Sequence, residues 1–396
     1  MIAKDAGMLR VYSGREAPAE DGTGILQLSA CFVLGFICVY VKTFASMTPL
    51  IDLSDIVDRC LLFAGAAFLS LHFVSRSKSY GKRFIPLLLV LLSTAYTYFV
   101  SGETAPLTFS LVVIAAATAG NTKSLVTLWF VTTAFLLLFT MSVYGLTAIL
   151  DPNSLPYVLR LENGIESTVR FTFFFSHPNM VAAIVMMMCG AYMYLNYDRL
   201  RFRTYAVVLV IDVLVFLFTD SKTSTALIAF MIACFVAQKQ WGIFENCGLR
   251  KFVAILPIAL FGLVYVIAGP LYRDFLGRFL TGRVSLWHYC LENQGLTMFG
   301  QHFVVSRFTD VNGFTYYYET LDCAYASGLL VFGLFFSAFF CWCVYSCVMR
   351  KDGLHASELP LILAMLVFGI TEVHIFSPVV CGALLLLSKG ILPSSE

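Results

Sequence analysis

The chain has little charge. Only 13% of its 396 residues are Asp, Glu, Lys or Arg, against roughly 25% in a soluble domain. The net charge of +2 leaves no basic excess for a nucleic-acid partner. Although there are twelve cysteines, none forms a Cys-x-x-Cys pair, which removes the simplest zinc and dithiol signatures. Most lie in apolar runs and read as small core residues; only Cys290 and Cys323 fall on the side assigned below as external. The first 23 residues lack the short apolar core and small-residue cleavage site of a secretory signal. No internal repeat is visible of the kind that builds many transporters. No His/Cys/Asp/Glu group on the outer side has metal-ligand spacing, so neither a metal nor another cofactor is expected.

Apolar sequence is abundant: hydrophobic residues make up 59% of the chain and mean hydropathy is +0.83. A membrane span needs about 20 mainly apolar residues. About twelve runs approach that length: 25–45, 56–74, 84–100, 106–119, 125–150, 171–195, 205–219, 224–237, 252–271, 321–344, 359–371 and 375–387. The expected fold is an all-α polytopic membrane protein. A cytoplasmic tail (1–24) precedes N-terminal helices (25–150), a core (151–390) and a second tail (391–396).

Lys and Arg concentrate in short cytoplasmic loops. Placing both termini inside puts most of the 26 basic residues there, among them Arg76, Lys78, Lys82, Arg83, Arg199, Arg201, Arg203, Arg250, Lys251, Arg350 and Lys351. Two external segments, 151–170 and 272–320, are then longer than a turn requires, and long loops tend to be functional. The second carries Arg273, Arg278, Arg283 and Arg307 with His288 and His302. Arginine on the outer face runs against the charge trend, and an external anion is the simplest reason for it.

Polar groups at span ends mark pathways or sites, and four constellations stand out. Arg170 and His177 are seven apart, two helical turns, and would share a face of a continuous helix; Pro178 and Asn179 follow. An interfacial arginine and a kinked helix fit the same residues. Ser221, Lys222 and Thr223 head the eighth run after Asp220, where hydroxyls and free N–H groups suit an oxyanion; an ordinary helix cap is the alternative. Arg283 and Trp287, four apart, would present a guanidinium to diphosphate oxygens and an indole to a sugar face on one helix side, or simply lie on the bilayer. Glu372 and His374 sit in a tight turn between the last two runs. Asp212 lies mid-span, where a hydrogen-bonded aspartate within the bundle and a proton-relay group both fit.

In order, these segments resemble the Wzy-type integral membrane glycosyltransferases: bacterial O-antigen and capsule polymerases and O-antigen ligases. The resemblance runs from Arg170 to Glu372. It rests on Arg170 before His177-Pro178-Asn179, and on Thr219-Asp220-Ser221-Lys222-Thr223, which is similar to the family's Thr-x-Ser-Arg-Thr. It continues through Gly282-Arg283 with Trp287, Met298-Phe299-Gly300, and Leu321-Asp322-Cys323-Ala324-Tyr325 with Gly333 beyond. Ligases of the family carry His-Asn before the Tyr. The Asp322-Cys323 pair here looks more like repeat-unit polymerases, and Lys222 stands where Arg is usual.

The resemblance implies a GT-C-like helical bundle in the bacterial cytoplasmic membrane, with its active site facing outward. It implies inverting, metal-independent glycosyl transfer between polyprenyl-diphosphate-linked oligosaccharides, next to membrane lipid and alongside flippase and chain-length-regulator proteins. Arg170, Arg283 and Lys222 would neutralise the diphosphate, while Ser221, Asn179, Trp287, Tyr325 and Glu372 would complete the substrate site. Asp322, His302 or His177 would be the base. A ligase using another acceptor, or a lipid-linked oligosaccharide flippase or exporter, is the alternative.

Overall fold

The computed structural model describes residues 28–51, 53–162, 165–272, 283–303, 307–309, 315–317 and 321–392. The expected tail 1–24, Gly282, Arg273, Arg278, the Arg307 side chain, parts of the loop 272–320 and the last four residues lie outside the described residues.

The described chain is mainly helical. Helices α1 (Ala30–Met47), α2 (Asp55–Ser75), α3 (Phe84–Ser101), α4 (Ala105–Ala119) and α5 (Thr122–Leu150) come first. A hairpin of β1 (Tyr157–Glu162) and β2 (Ile165–Phe171) follows, then α6 (Pro178–Leu195), α7 (Phe202–Thr219), α8 (Lys222–Trp241) and α9 (Cys247–Ala268). After α10 (Arg283–Gln294) comes a second small hairpin, β3 (Arg307–Thr309) and β4 (Thr315–Tyr317), and then α11 (Leu334–Met349) and α12 (Leu359–Phe368).

Local chemistry sets many of these boundaries. Asn121 caps α5 by accepting from the Ser124 N–H at 2.7 Å, and Asn246 caps α9 from Gly248 and Leu249. Pro178 opens α6, where its missing N–H costs no helical bond. Gly102 closes α3 at φ 78°, a left-handed terminus that glycine adopts without strain.

Among the described residues, seven helices are long and apolar enough to cross a membrane, and three shorter apolar helices accompany them. A bilayer surrounding explains the large exposed apolar side chains along the bundle, such as Phe63 on α2, Leu89 on α3, Phe135 on α5 and Leu217 on α7. Helix α6 is central, with 72% of its span enclosed, whereas α7 is peripheral at 17%. The short α4, 15 residues or about 22 Å long, falls short of a roughly 30 Å hydrocarbon core.

The expected all-α character holds, with two small antiparallel hairpins added, one in each long loop. Two expected spans are corrected. Run 321–344 is not one helix: a short turn and a π segment (Gly328–Phe332) end at Gly333, at φ 90°, before α11 begins. The final run, 375–387, is not a regular helix either. It consists of short turns buried throughout.

Irregular backbone survives in a membrane only where protein satisfies its carbonyls. Here the Trp129 indole donates to Pro378 O at 2.8 Å and Val379 O at 3.2 Å. The Tyr40 hydroxyl reaches Val379 O at 3.5 Å and pairs with Thr133 at 2.7 Å. Phe376 sits edge-on to Phe109, Phe332, Phe336 and Phe340, with ring centroids 5.0–6.0 Å apart. Such pairs each add about 0.5–1.5 kcal/mol beyond burial. This cluster fixes the turn that carries Glu372.

Basic side chains gather at the opposite end of the bundle. Arg83 donates to the carbonyls of Gly390, Ile391 and Leu392, Arg250 to Val348 and Leu354, and Lys389 to Glu358 at 2.7 Å. They close the chain ends there as well as supplying charge.

A Cβ on Gly382 would lie 2.3 Å from the Trp129 ring, whereas one on Gly145, inside α5, meets nothing within 4 Å. Gly382→Ala should therefore lower the thermal midpoint in detergent, by about 1–3 kcal/mol of overpacking. Gly145→Ala should be neutral or stabilising by up to about 1 kcal/mol. Equal midpoints for the two variants would contradict the close Trp129 approach.

Candidate functional site

Four elements end at one place, opposite the basic end. Helices α6 and α8 begin there, so the positive ends of two helix dipoles point into one region. Helix α7 ends there, and β2 delivers Arg170 to it.

The connection from β2 to α6 is strained. Phe173 and Phe174 both hold positive φ, 51° and 63°, which costs bulky residues about 1–3 kcal/mol each. Surrounding contacts hold them. Tyr144 packs on both rings, at 4.8 and 5.5 Å, the Thr48 hydroxyl donates to Phe174 O, and the Ser176 N–H donates to Met47 O at 2.9 Å. Asp220, at φ 47°, ends α7 so that α8 starts only two residues later. Aspartate is among the few residues that tolerate this conformation.

The result is a cavity of about 640 Å³, lined by Arg170, Ser176, His177, Asn179, Met180, Asp220, Ser221, Lys222, Thr223, Arg283, Asp322, Glu372 and His374. Most of the residues expected from sequence meet here. Arg170 and His177 do so without sharing a helix face: Arg170 is on β2, and the intervening residues turn. Pro178 starts α6 rather than kinking a longer helix.

Arg170 is buried and fixed by specific bonds. Its Nε donates to Thr219 O at 2.6 Å, neutralising the last carbonyl of α7, and a terminal nitrogen donates to Asn179 Oδ1 at 2.5 Å. Asn179 passes the link on, donating from Nδ2 to Glu372 Oε1 at 3.3 Å. Arg283 pairs with Asp322 at 3.3 Å, both partly exposed.

Burial raises the Glu372 carboxyl to about 7, with Asp322 repulsion adding to the rise and Arg283, Asn179 and Arg170 opposing it. Desolvation, then Arg170, holds His177 below its ordinary value. Its Nδ1 accepts the Asn179 N–H at 3.2 Å, which places the neutral ring's proton on Nε2. His374 is lowered to about 4 by burial and by His177. Both histidines are therefore mainly neutral at pH 7. At pH 7 the Glu372 carboxyl is divided between its two forms, beside the basic side chains of Arg170, Lys222 and Arg283.

Three expected residues lie elsewhere. His302 donates from Nδ1 to Ser101 O at 3.1 Å, at the end of α3. Trp287 faces the core from α10, so the indole does not share the cavity with Arg283. Tyr325 is fully enclosed and its hydroxyl donates to Leu366 O at 2.7 Å; it is a packing residue. Asp220, Thr223 and His374 join the site from motifs the sequence does display. Ser176 and Met180 carried no sequence signal, being ordinary residues of an aromatic and an apolar run. Among the described residues no group of three His, Cys, Asp or Glu is arranged to hold a metal ion.

Compared with protein-family models, with curated proteins and with solved structures, the chain has no match.

The network fixes the sign of two substitutions. Asp322→Asn removes a repulsive charge and should lower the Glu372 proton affinity; Asn179→Ala removes a bond to the carboxylate and should raise it. Infrared titration of the carboxyl band, assigned with Glu372→Gln, would read both. Shifts of the same sign would contradict the geometry.

Proposed function

We propose that this chain is a membrane glycosyltransferase that polymerises polyprenyl-diphosphate-linked oligosaccharide repeat units, at the outer face of a bacterial cytoplasmic membrane. One observation carries the reading. Three cations from distant segments converge at the positive ends of two helices, beside a carboxyl poised near neutrality.

A lipid diphosphate is already a good leaving group, so the chemistry needs charge stabilisation and a base. Arg283 suits a forked contact with diphosphate oxygens, Lys222 adds a point charge, and Arg170 supplies a fixed one. The acceptor hydroxyl attacks the anomeric carbon as the bond to the diphosphate oxygen breaks, with inversion. Polyprenyl diphosphate leaves, and the hydroxyl proton goes to a carboxylate. Glu372 fits that role better than Asp322, which Arg283 holds, or His177, whose Nδ1 is engaged. His302 lies outside the cavity. A volume of about 640 Å³ falls within the roughly 300–1,000 Å³ of small-ligand sites and suits the sugar and diphosphate portion, with the polyprenyl chain in the bilayer. With both termini on the cytoplasmic side, this arrangement has an outward-facing site.

Purified protein given its lipid-linked repeat unit should lengthen it in EDTA and release polyprenyl diphosphate. Arg283→Ala should slow elongation roughly thirtyfold to a thousandfold, the consequence of losing about 2–4 kcal/mol of charge stabilisation, and Arg283→Lys should recover only part. Arg170→Ala should do the same, read beside its thermal midpoint because Arg170 also holds α7. No new glycosidic bond would favour a flippase, and a requirement for a different acceptor would favour a ligase.

The pH profile tests the base. A carboxylate must be deprotonated to accept a proton, so elongation should rise as pH climbs through about 7, and Glu372→Gln should abolish that limb. A Glu372→Gln enzyme with an unchanged profile would move the base to Asp322 or His177.

A further inference from the structure

On the lipid-facing side, a groove of about 530 Å³ runs between α5, α6 and α7, walled by apolar side chains such as Phe130, Leu137, Val185, Met188 and Ile211. One end is polar, where Arg203 and Thr204, in the first turn of α7, line it. Helix α7 has 18 residues, about 27 Å, so this mouth lies at the membrane face opposite the polar cavity.

The mouth is a built feature. The loop before α7 is held by Lys239, whose Nζ donates to the carbonyls of Tyr197, Asp198 and Leu200 at 3.2, 3.3 and 2.7 Å. Arg203 makes no hydrogen bond or ion pair with the described residues. The positive end of α7 adds to its charge, and Arg199 and Arg201 stand in the same loop. From Arg203 to Ile211 the groove follows α7 for eight residues, roughly 12 Å, close to the half-thickness of a roughly 30 Å hydrocarbon core. An exposed guanidinium at headgroup depth, over an apolar trough one leaflet deep, matches an amphiphile with an anionic head.

The geometry points to a binding site for an anionic phospholipid, with its phosphate on Arg203 and the α7 N-terminus and an acyl chain in the groove. The bound lipid bridges three helices and braces peripheral α7 against central α6. This site is separate from the polar cavity and independent of the chemistry assigned to it.

Delipidated full-length protein in detergent would be titrated with phosphatidylglycerol or phosphatidylcholine of identical acyl chains, and separately with inorganic phosphate. Retained lipid would be read by native mass spectrometry and stabilisation by the thermal midpoint. Phosphatidylglycerol should be retained about fivefold over phosphatidylcholine, the selectivity expected of one basic residue at a lipid headgroup, and should raise the midpoint. Arg203→Gln should bring the two lipids to parity. Val207→Trp, which fills the groove without touching charge, should reduce retention of both. Equal retention by wild type, unchanged selectivity in Arg203→Gln, undiminished retention in Val207→Trp, or full stabilisation by phosphate alone would each overturn the site.

Discussion

The site depends on one buried cation. Arg170 is enclosed near the membrane, where an unpartnered charge is expensive, and its bonds to Thr219 O and Asn179 Oδ1 make it tenable. Those same bonds tie β2 to the end of α7 and the start of α6, and Asn179 extends the tie to Glu372. Arginine suits this position because its planar fork can hold two directions at once. A lysine would reach one partner and leave the α7 terminus uncapped. The strained turn through Phe173 and Phe174 is the conformational cost of bringing Arg170 there.

A second constraint comes from the far side of the cavity. Glu372 belongs to a segment that spans no membrane as a helix but packs as buried turns. Trp129 and Tyr40 satisfy its carbonyls, and Phe376 anchors it among four phenylalanines. The N-terminal helices, which show no chemical motif of their own, therefore position the carboxyl that the proposed chemistry needs. That rigidity also keeps the carboxyl close enough to Asp322 and Arg283 for their charges to act on it.

Much of this was legible in sequence, and the failures have physical causes. Membrane residence followed from the scarcity of charge. Arg170, Lys222 and Glu372 stood out as polar groups at the ends of apolar runs and Arg283 as an external arginine, whereas the site roles of Asn179 and Asp322 came from the family resemblance. The seven-residue spacing of Arg170 and His177 misled, because a β-hairpin and two left-handed phenylalanines replace the helix that the spacing assumed. Trp287 misled for a related reason: an i, i+4 pair shares a face only broadly, and the bulk of an indole favoured the core. Runs 321–344 and 375–387 looked like spans because hydropathy reports burial. Burial inside a protein and burial in lipid read alike, and only tertiary partners for the carbonyls distinguish them.

The direct test is equilibrium binding of a short-chain prenyl diphosphate to the purified protein, compared with the matching prenyl monophosphate and prenol. If the cavity is a diphosphate site, affinity should fall in that order and weaken with added salt. Arg283→Ala should reduce the advantage of diphosphate over prenol without altering prenol binding. Equal affinity for all three compounds, or a diphosphate advantage unchanged in Arg283→Ala, would contradict that assignment.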